Sequence, residues 1–117
     1  EDHTGVLAEG PDVAQACFDK GKFQDCLFVR ECTLQAAQHV HGHSLETAKI
    51  LNQLAEVLEK LGEFDKATER ATESLLMRKA LIGPEDHPDI AESLHRIGTL
   101  LWFKGQYADA LEKLEEA

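Results

Sequence analysis

Three imidazoles within five residues, His39-Val40-His41-Gly42-His43, form the sharpest chemical constellation in this chain. Imidazole nitrogens bind zinc, nickel or copper, and an extended or turned backbone brings alternate side chains onto one ion. No cysteine or carboxylate with obvious ligand spacing accompanies them, so the stretch reads first as a solvated loop. Cys17, Cys26 and Cys32 are the only thiols. No helix N-terminus or basic cluster stands near them to stabilise a thiolate, and three is not the count of a disulfide framework. They read as small hydrophobes in a reducing, cytoplasmic setting. Glu56 and Glu59 stand at i,i+3 and could pair two carboxyls for acid–base work, but acidic helix faces are ordinarily solvated. There is no glycine-rich phosphate loop, nucleophile elbow or His-Glu-x-x-His. The expectation is a chain with no catalytic residues, no metal site and no cofactor.

Helices must carry these residues. Ala, Leu, Glu and Lys are plentiful and aromatics make up only 6% of 117 residues, a balance that suits unbranched helical side chains. No stretch alternates polar and apolar residues long enough for a strand. Acidic residues outnumber basic ones 22 to 12, a formal charge of −10. Such a surface repels nucleic-acid backbones and anionic membranes, and both are excluded as partners. No apolar run approaches the roughly 20 residues of a membrane span, and no signal-peptide pattern opens the chain. The first residue is Glu, and the last, Ala117, falls inside a helical pattern, as expected of a fragment.

Internal repetition dominates the sequence. Leu51, Leu54, Ala55, Leu58, Gly62, Phe64 and Ala67 match Leu94, Ile97, Gly98, Leu101, Gly105, Tyr107 and Ala110, all at an offset of 43. A third copy, Gly21-Lys22-Phe23-Gln24-Asp25-Cys26, precedes the second by 41. Ala48, Leu51, Leu54, Ala55 and Leu58 recur at helical spacing, and Ile50, Val57 and Leu61 widen the stripe. A helix apolar on more than one flank is one sandwiched in a stack. Ala55 and Gly98 leave room for a close neighbour, and Gly62 and Gly105 mark chain reversals. Ser44 with Glu46, and Pro88 with Asp89, are helix starts. Helices are predicted over 11–20, 23–39, 45–61, 64–82, 88–103 and 106–117. Gly10-Pro11 echoes the start at Pro88, which would make the first helix seven residues shorter than that of the third repeat. Arg30 also stands where Ala71 and Leu114 are apolar. The expected division is a loose segment 1–10, a degenerate repeat 11–44, a second repeat 45–87 and a third, 88–117, without a cap.

The pattern Leu-x-x-Leu-Ala/Gly-x-x-Leu followed by Gly-x-Phe/Tyr-x-x-Ala resembles the tetratricopeptide repeat. The long second helix and the run Leu76 to Ala91, with its His-Pro loop, resemble the roughly 42-residue variant of kinesin light chains. The resemblance is strong over 45–117 and weaker over 13–44. It implies an all-α solenoid of antiparallel helix pairs, about six helices, acting as a protein-interaction scaffold.

In such folds the first helix of each repeat lines a concave groove. Mapped onto this chain, the expected peptide-binding residues are Lys49, Asn52, Gln53, Glu56, His95, Arg96, Thr99 and Trp102, with Glu59, Lys60, Glu92 and Phe103 beside them. Trp102 and Phe103 are adjacent, so one face cannot bury both; a ligand hot spot and packing on a further repeat are both open. The carboxylate clamp of chaperone-binding relatives is not matched, because Pro11 and Gln15 replace its first polar pair and Glu92 puts an acid where a base is wanted. Kinesin light chains take acidic peptides in a basic groove; here three bases face three acids, leaving the partner's charge open. The expected partner is a protein peptide or helix, with homodimerisation through the uncapped last helix as a further expectation. The rival expectations are a structural spacer in a longer repeat protein and a metal-binding domain at His39, His41 and His43.

Overall fold

The computed structural model describes the backbone of residues 3–83 and 87–116 and the side chains of 5–83, 87–106 and 109–116. Six α-helices and no strand occur among the described residues: α1 (His3–Asp19), α2 (Phe23–Val40), α3 (Leu45–Lys60), α4 (Phe64–Ile82), α5 (Pro88–Phe103) and α6 (Tyr107–Glu116). They form three antiparallel hairpins stacked in chain order, each helix packing on the next, and α3 also touches α5 directly. α3 and α5 therefore approach each other on one side of the stack. The Pro84–Asp86 stretch of the expected loop and the Tyr107 side chain of the repeat motif lie outside the described residues.

Local chemistry explains the boundaries. The hairpin turns are built alike: Glu63 N–H donates to Leu58 O at 2.9 Å and Gly62 N–H to Glu59 O at 3.0 Å, and the same pair of bonds recurs around Gly21 and Gly105. This double bond pattern satisfies the last carbonyls of a helix and needs a residue at positive φ, here Gly62 at 80°. Ser44 Oγ caps α3 by accepting from Thr47 N–H at 3.1 Å. At α5 the cap is His87, whose Nδ1 accepts from Asp89 N–H at 3.1 Å, with Pro88 in the first turn.

The first repeat departs from expectation. α1 begins at His3 and runs through Pro11, so part of the segment expected to be loose is helix and the first helix is full length at 17 residues. An interior proline removes a helix bond and costs about 3 kcal/mol. Tertiary packing offsets it: Leu7 packs on the cluster of Leu34, Leu51 and Leu54, and Ala14 is fully buried beside Cys26. Gly10 is buried against α2, where a Cβ would collide with Thr33 Cγ2, so Gly here serves close approach rather than a helix start.

The core follows the repeat. Ala55 and Leu58 of α3 meet Ala67, Ala71 and Leu75 of α4, and α5 closes over both with Ile90, Leu94, Ile97 and Leu100. Gly98 has the role read for it: a Cβ there would lie 2.7 Å from Leu114 Cγ of α6. Arg30, the anomaly of the first repeat, is 3% exposed, and its Nη2 donates to Gln15 Oε1 at 3.4 Å.

Candidate functional site

On α5, His95, Thr99 and Trp102 fall at i, i+4 and i+7, which puts them on one face of the helix; Lys49, Gln53, Glu56 and Lys60 do the same on α3. Polar bonds hold these two faces side by side. Arg96 of α5 donates through Nη1 to Glu59 Oε1 at 3.1 Å and reaches Glu56 Oε2 at 3.7 Å. Asn52 Nδ2 donates to Glu92 Oε1 at 3.1 Å. The residues expected between the core stripe and solvent thus lie on two adjoining helices, and they divide into two kinds.

Asn52, Glu56 and Arg96 serve the contact between repeats. Asn52 is 4% exposed, and its Oδ1 is buried with no partner. Arg96 is engaged by two carboxylates, so its charge is offset within the chain. Lys49 and His95 are exposed, Gln53 and Thr99 are half-buried, and Trp102 is 49% exposed. The Thr99 hydroxyl donates back to His95 O at 2.9 Å within its own helix. Lys49 borders an open cavity of about 460 Å³ that runs over Leu45, Asp89 and Glu92. Phe103 turns away from this face and stacks on Phe64 of α4, ring centroids 5.5 Å apart at 21°.

The group on which this surface rests lies outside the repeat motif. Arg78 of α4 is 2% exposed, and its Nη1 donates to Asp89 O at 2.7 Å, Ser93 Oγ at 2.8 Å and Glu92 Oε1 at 3.1 Å. Glu92 thereby joins Arg78 to Asn52, tying α3, α4 and α5 at one oxygen. Beneath it Ser74 Oγ donates to Ala48 O at 2.7 Å and lies 3.4 Å from Ser93 Oγ. Buried polar groups need such partners to offset lost hydration. A signal was present: Ala67, Ala71, Ser74 and Arg78 continue one helical register, which puts an arginine on a buried stripe.

The histidines do not converge on one another. His39 lies in the last turn of α2, His41 caps it, and His43 is in the following loop. The His41 ring stands 4.0 Å from the Glu46 carboxylate. Among the described residues no group of three or more His, Cys, Asp or Glu side chains could hold a metal ion. Glu56 and Glu59, the candidate carboxyl pair, share Arg96 as an ion-pair partner. Cys17, Cys26 and Cys32 are free thiols; burial pushes Cys26 above its ordinary value, with the Arg30 guanidinium opposing. Among the described residues no helix is long and apolar enough to cross a membrane.

Comparisons with known proteins agree with the architecture. A family model described as tetratricopeptide repeat matches residues 7–80 and again 46–117. The crystal structure of the TPR domain of Arabidopsis FLU superposes with a TM-score of 0.85 over 97% of this chain and 92% of that one, at 15% sequence identity. That likeness concerns the fold. A search of the curated proteins finds no match.

Proposed function

We propose that this chain, which belongs to the tetratricopeptide repeat family, is a non-catalytic scaffold module that holds an extended peptide or helix of a protein partner on its concave face. The observation that carries this reading is the pairing of α3 and α5. Arg96 with Glu56 and Glu59, and Asn52 with Glu92, fix two helix faces next to each other while Lys49, Gln53, His95, Thr99 and Trp102 keep exposed surface. A cation, an amide, an imidazole and a half-exposed indole offer hydrogen bonds and apolar contact to a peptide without requiring chemistry. Asn52, Glu56 and Arg96 act as positioning residues in this scheme.

Two finer readings belong to the same proposal. The offset of 43 between the second and third repeats and the helix start at His87-Pro88 support the kinesin-light-chain-like variant. Three free cysteines and the acidic surface support a cytoplasmic protein that binds neither nucleic acid nor membrane. A second reading, a spacer in a longer repeat protein, is favoured by one observation: much of the mapped groove is engaged in repeat-to-repeat bonding.

The test is capture from cell lysate with identification by mass spectrometry, comparing the parent chain with Lys49→Glu/Gln53→Ala/His95→Ala. These sites leave the internal bonds intact, so helical circular dichroism should persist while the partner is lost. A partner captured equally by both proteins sinks the groove reading, and capture of none favours the spacer.

A further inference from the structure

Cys17 and Cys26 replace two apolar residues of the repeat motif. At the offset of 41 they stand where the second repeat has Leu58 and Ala67, which share one core cluster. The thiols are placed likewise: Cys17 packs on the cluster of Ala14, Cys26 and Val57. The turn at Gly21 brings them level. Lys22 N–H donates to Cys17 O at 2.8 Å and Cys26 N–H to Lys22 O at 3.0 Å, so one residue joins the two backbones. Cys32 is out of reach. Six residues of α2 put it about 9 Å along the axis from Cys26, beyond the span of a disulfide, and farther still from the turn that holds Cys17.

The surroundings give the two thiols different tasks. Cys17 is half-buried and open to a small oxidant, whereas Cys26 is fully buried. Cys26 lies in the first turn of α2, one helical turn before Arg30. That arginine is buried as well; its Nη2 bond to Gln15 Oε1 is long at 3.4 Å, and its Nε has no partner. Burial raises the Cys26 thiol, the Arg30 guanidinium opposes it, and charge on Cys17 raises it further, as between neighbouring sulfurs. We infer that Cys17 and Cys26 are a peroxide-responsive pair that closes to a disulfide across the first hairpin. Cys17 Sγ attacks a hydroperoxide oxygen, the O–O bond breaks with loss of an alcohol or water, and Cys17 becomes a sulfenic acid. Cys26 Sγ then forms the S–S bond, the S–O bond breaks, and the departing hydroxide takes the Cys26 proton as water. Two thiols are oxidised, and one hydroperoxide is reduced to an alcohol and water. Arg30 and the start of α2 favour the Cys26 thiolate as it attacks. Cys26 needs no route to solvent, because its target is the sulfur across the turn. In a reducing compartment such a bond is transient and reports oxidant.

Hydrogen peroxide is the probe, applied to the folded full chain, with maleimide capping and mass spectrometry without reduction. Before capping the chain should be lighter by about 2 Da. Maleimide should then mark Cys32 alone, and peptide mapping should find Cys17 linked to Cys26, all reversed by dithiothreitol. Cys26→Ala restores the residue that the other repeats carry as Ala67 and Ala110, so its circular dichroism should match the parent's. In that variant the disulfide is lost and the Cys17 sulfenic acid accumulates, trapped by dimedone. Cys32→Ser should leave the linkage intact. Thiols that all stay free after peroxide, a crosslink through Cys32, or a Cys17–Cys26 bond that forms only in urea overturns the inference. So does dimedone labelling of Cys17 that is equal in the parent and Cys26→Ala.

Discussion

The guanidinium of Arg78 and the carboxylate of Glu92 meet at 3.1 Å across the joint between the second and third repeats, the first 2% and the second more than half exposed. The asymmetry is informative. Arg78 cannot recover its hydration, so it spends one nitrogen on three acceptors, while Glu92 can swing into water. Arg78→Ala should lower stability by about 3 kcal/mol, because Ser93 and the Asp89 carbonyl lose a buried donor and a cavity opens. Glu92→Gln should cost about 1 kcal/mol or less. Chemical denaturation of both variants measures the difference, and equal losses would mean that Arg78 matters only through Glu92.

Arg96 and Glu59 should couple. Glu59 is largely covered and Arg96 is 23% exposed, so their bond is part-buried. A double-mutant cycle with Arg96→Met and Glu59→Gln should return about 0.5–1 kcal/mol. High salt should reduce it. A coupling of zero at low salt would leave Asn52 and Arg78 as the polar ties of this joint.

Gly98 should tolerate one carbon and not three. In Gly98→Ala the gain of about 1 kcal/mol in helix propensity opposes the contact with Leu114, whose Cγ lies 2.7 Å from the new atom. The net change should stay within about 1 kcal/mol. Gly98→Val should cost about 2 kcal/mol by forcing α6 outward, and Leu114→Ala should recover part of it. Thermal melts followed at the helical band decide this, and a neutral Gly98→Val would show that α6 is not pressed on α5.

Cys26 should resist alkylation. Burial favours its neutral thiol and raises its pKa from the ordinary 9.0. At a given pH it therefore holds less thiolate than a free cysteine, and the native chain should take reagent at Cys17 and Cys32 first. The same shift has a stability consequence. As pH rises past 9.0 the unfolded thiol loses its proton before the folded one, the unfolded state binds fewer protons, and stability falls. Denaturation at pH 7 and pH 10 should show that fall in the parent chain and a smaller one in Cys26→Ala. Mass mapping that finds Cys26 modified as fast as Cys17 contradicts the burial assigned to it.

The periodic part of this protein is legible in residue order alone. Helix starts at Ser44 and Pro88, reversals at Gly62 and Gly105, and the stripe from Ala48 to Leu58 are local or quasi-local, so spacing and residue type suffice to read them. Whether α1 crosses Pro11 is decided by what Leu7, Gly10 and Ala14 gain against α2 and α3, energies that no window around Pro11 contains. The groove divides for the same reason. Lys49 and Asn52 look alike as polar residues on α3, but only the arrival of α5 carries Glu92 to Asn52 and leaves Lys49 in water. Arg78 was visible as a polar residue on an apolar register, and its partners, eleven to fifteen residues away on the next helix, were not. Periodicity writes out which residues face inward; which polar groups they meet there depends on how the hairpins stack, and that belongs to the tertiary structure.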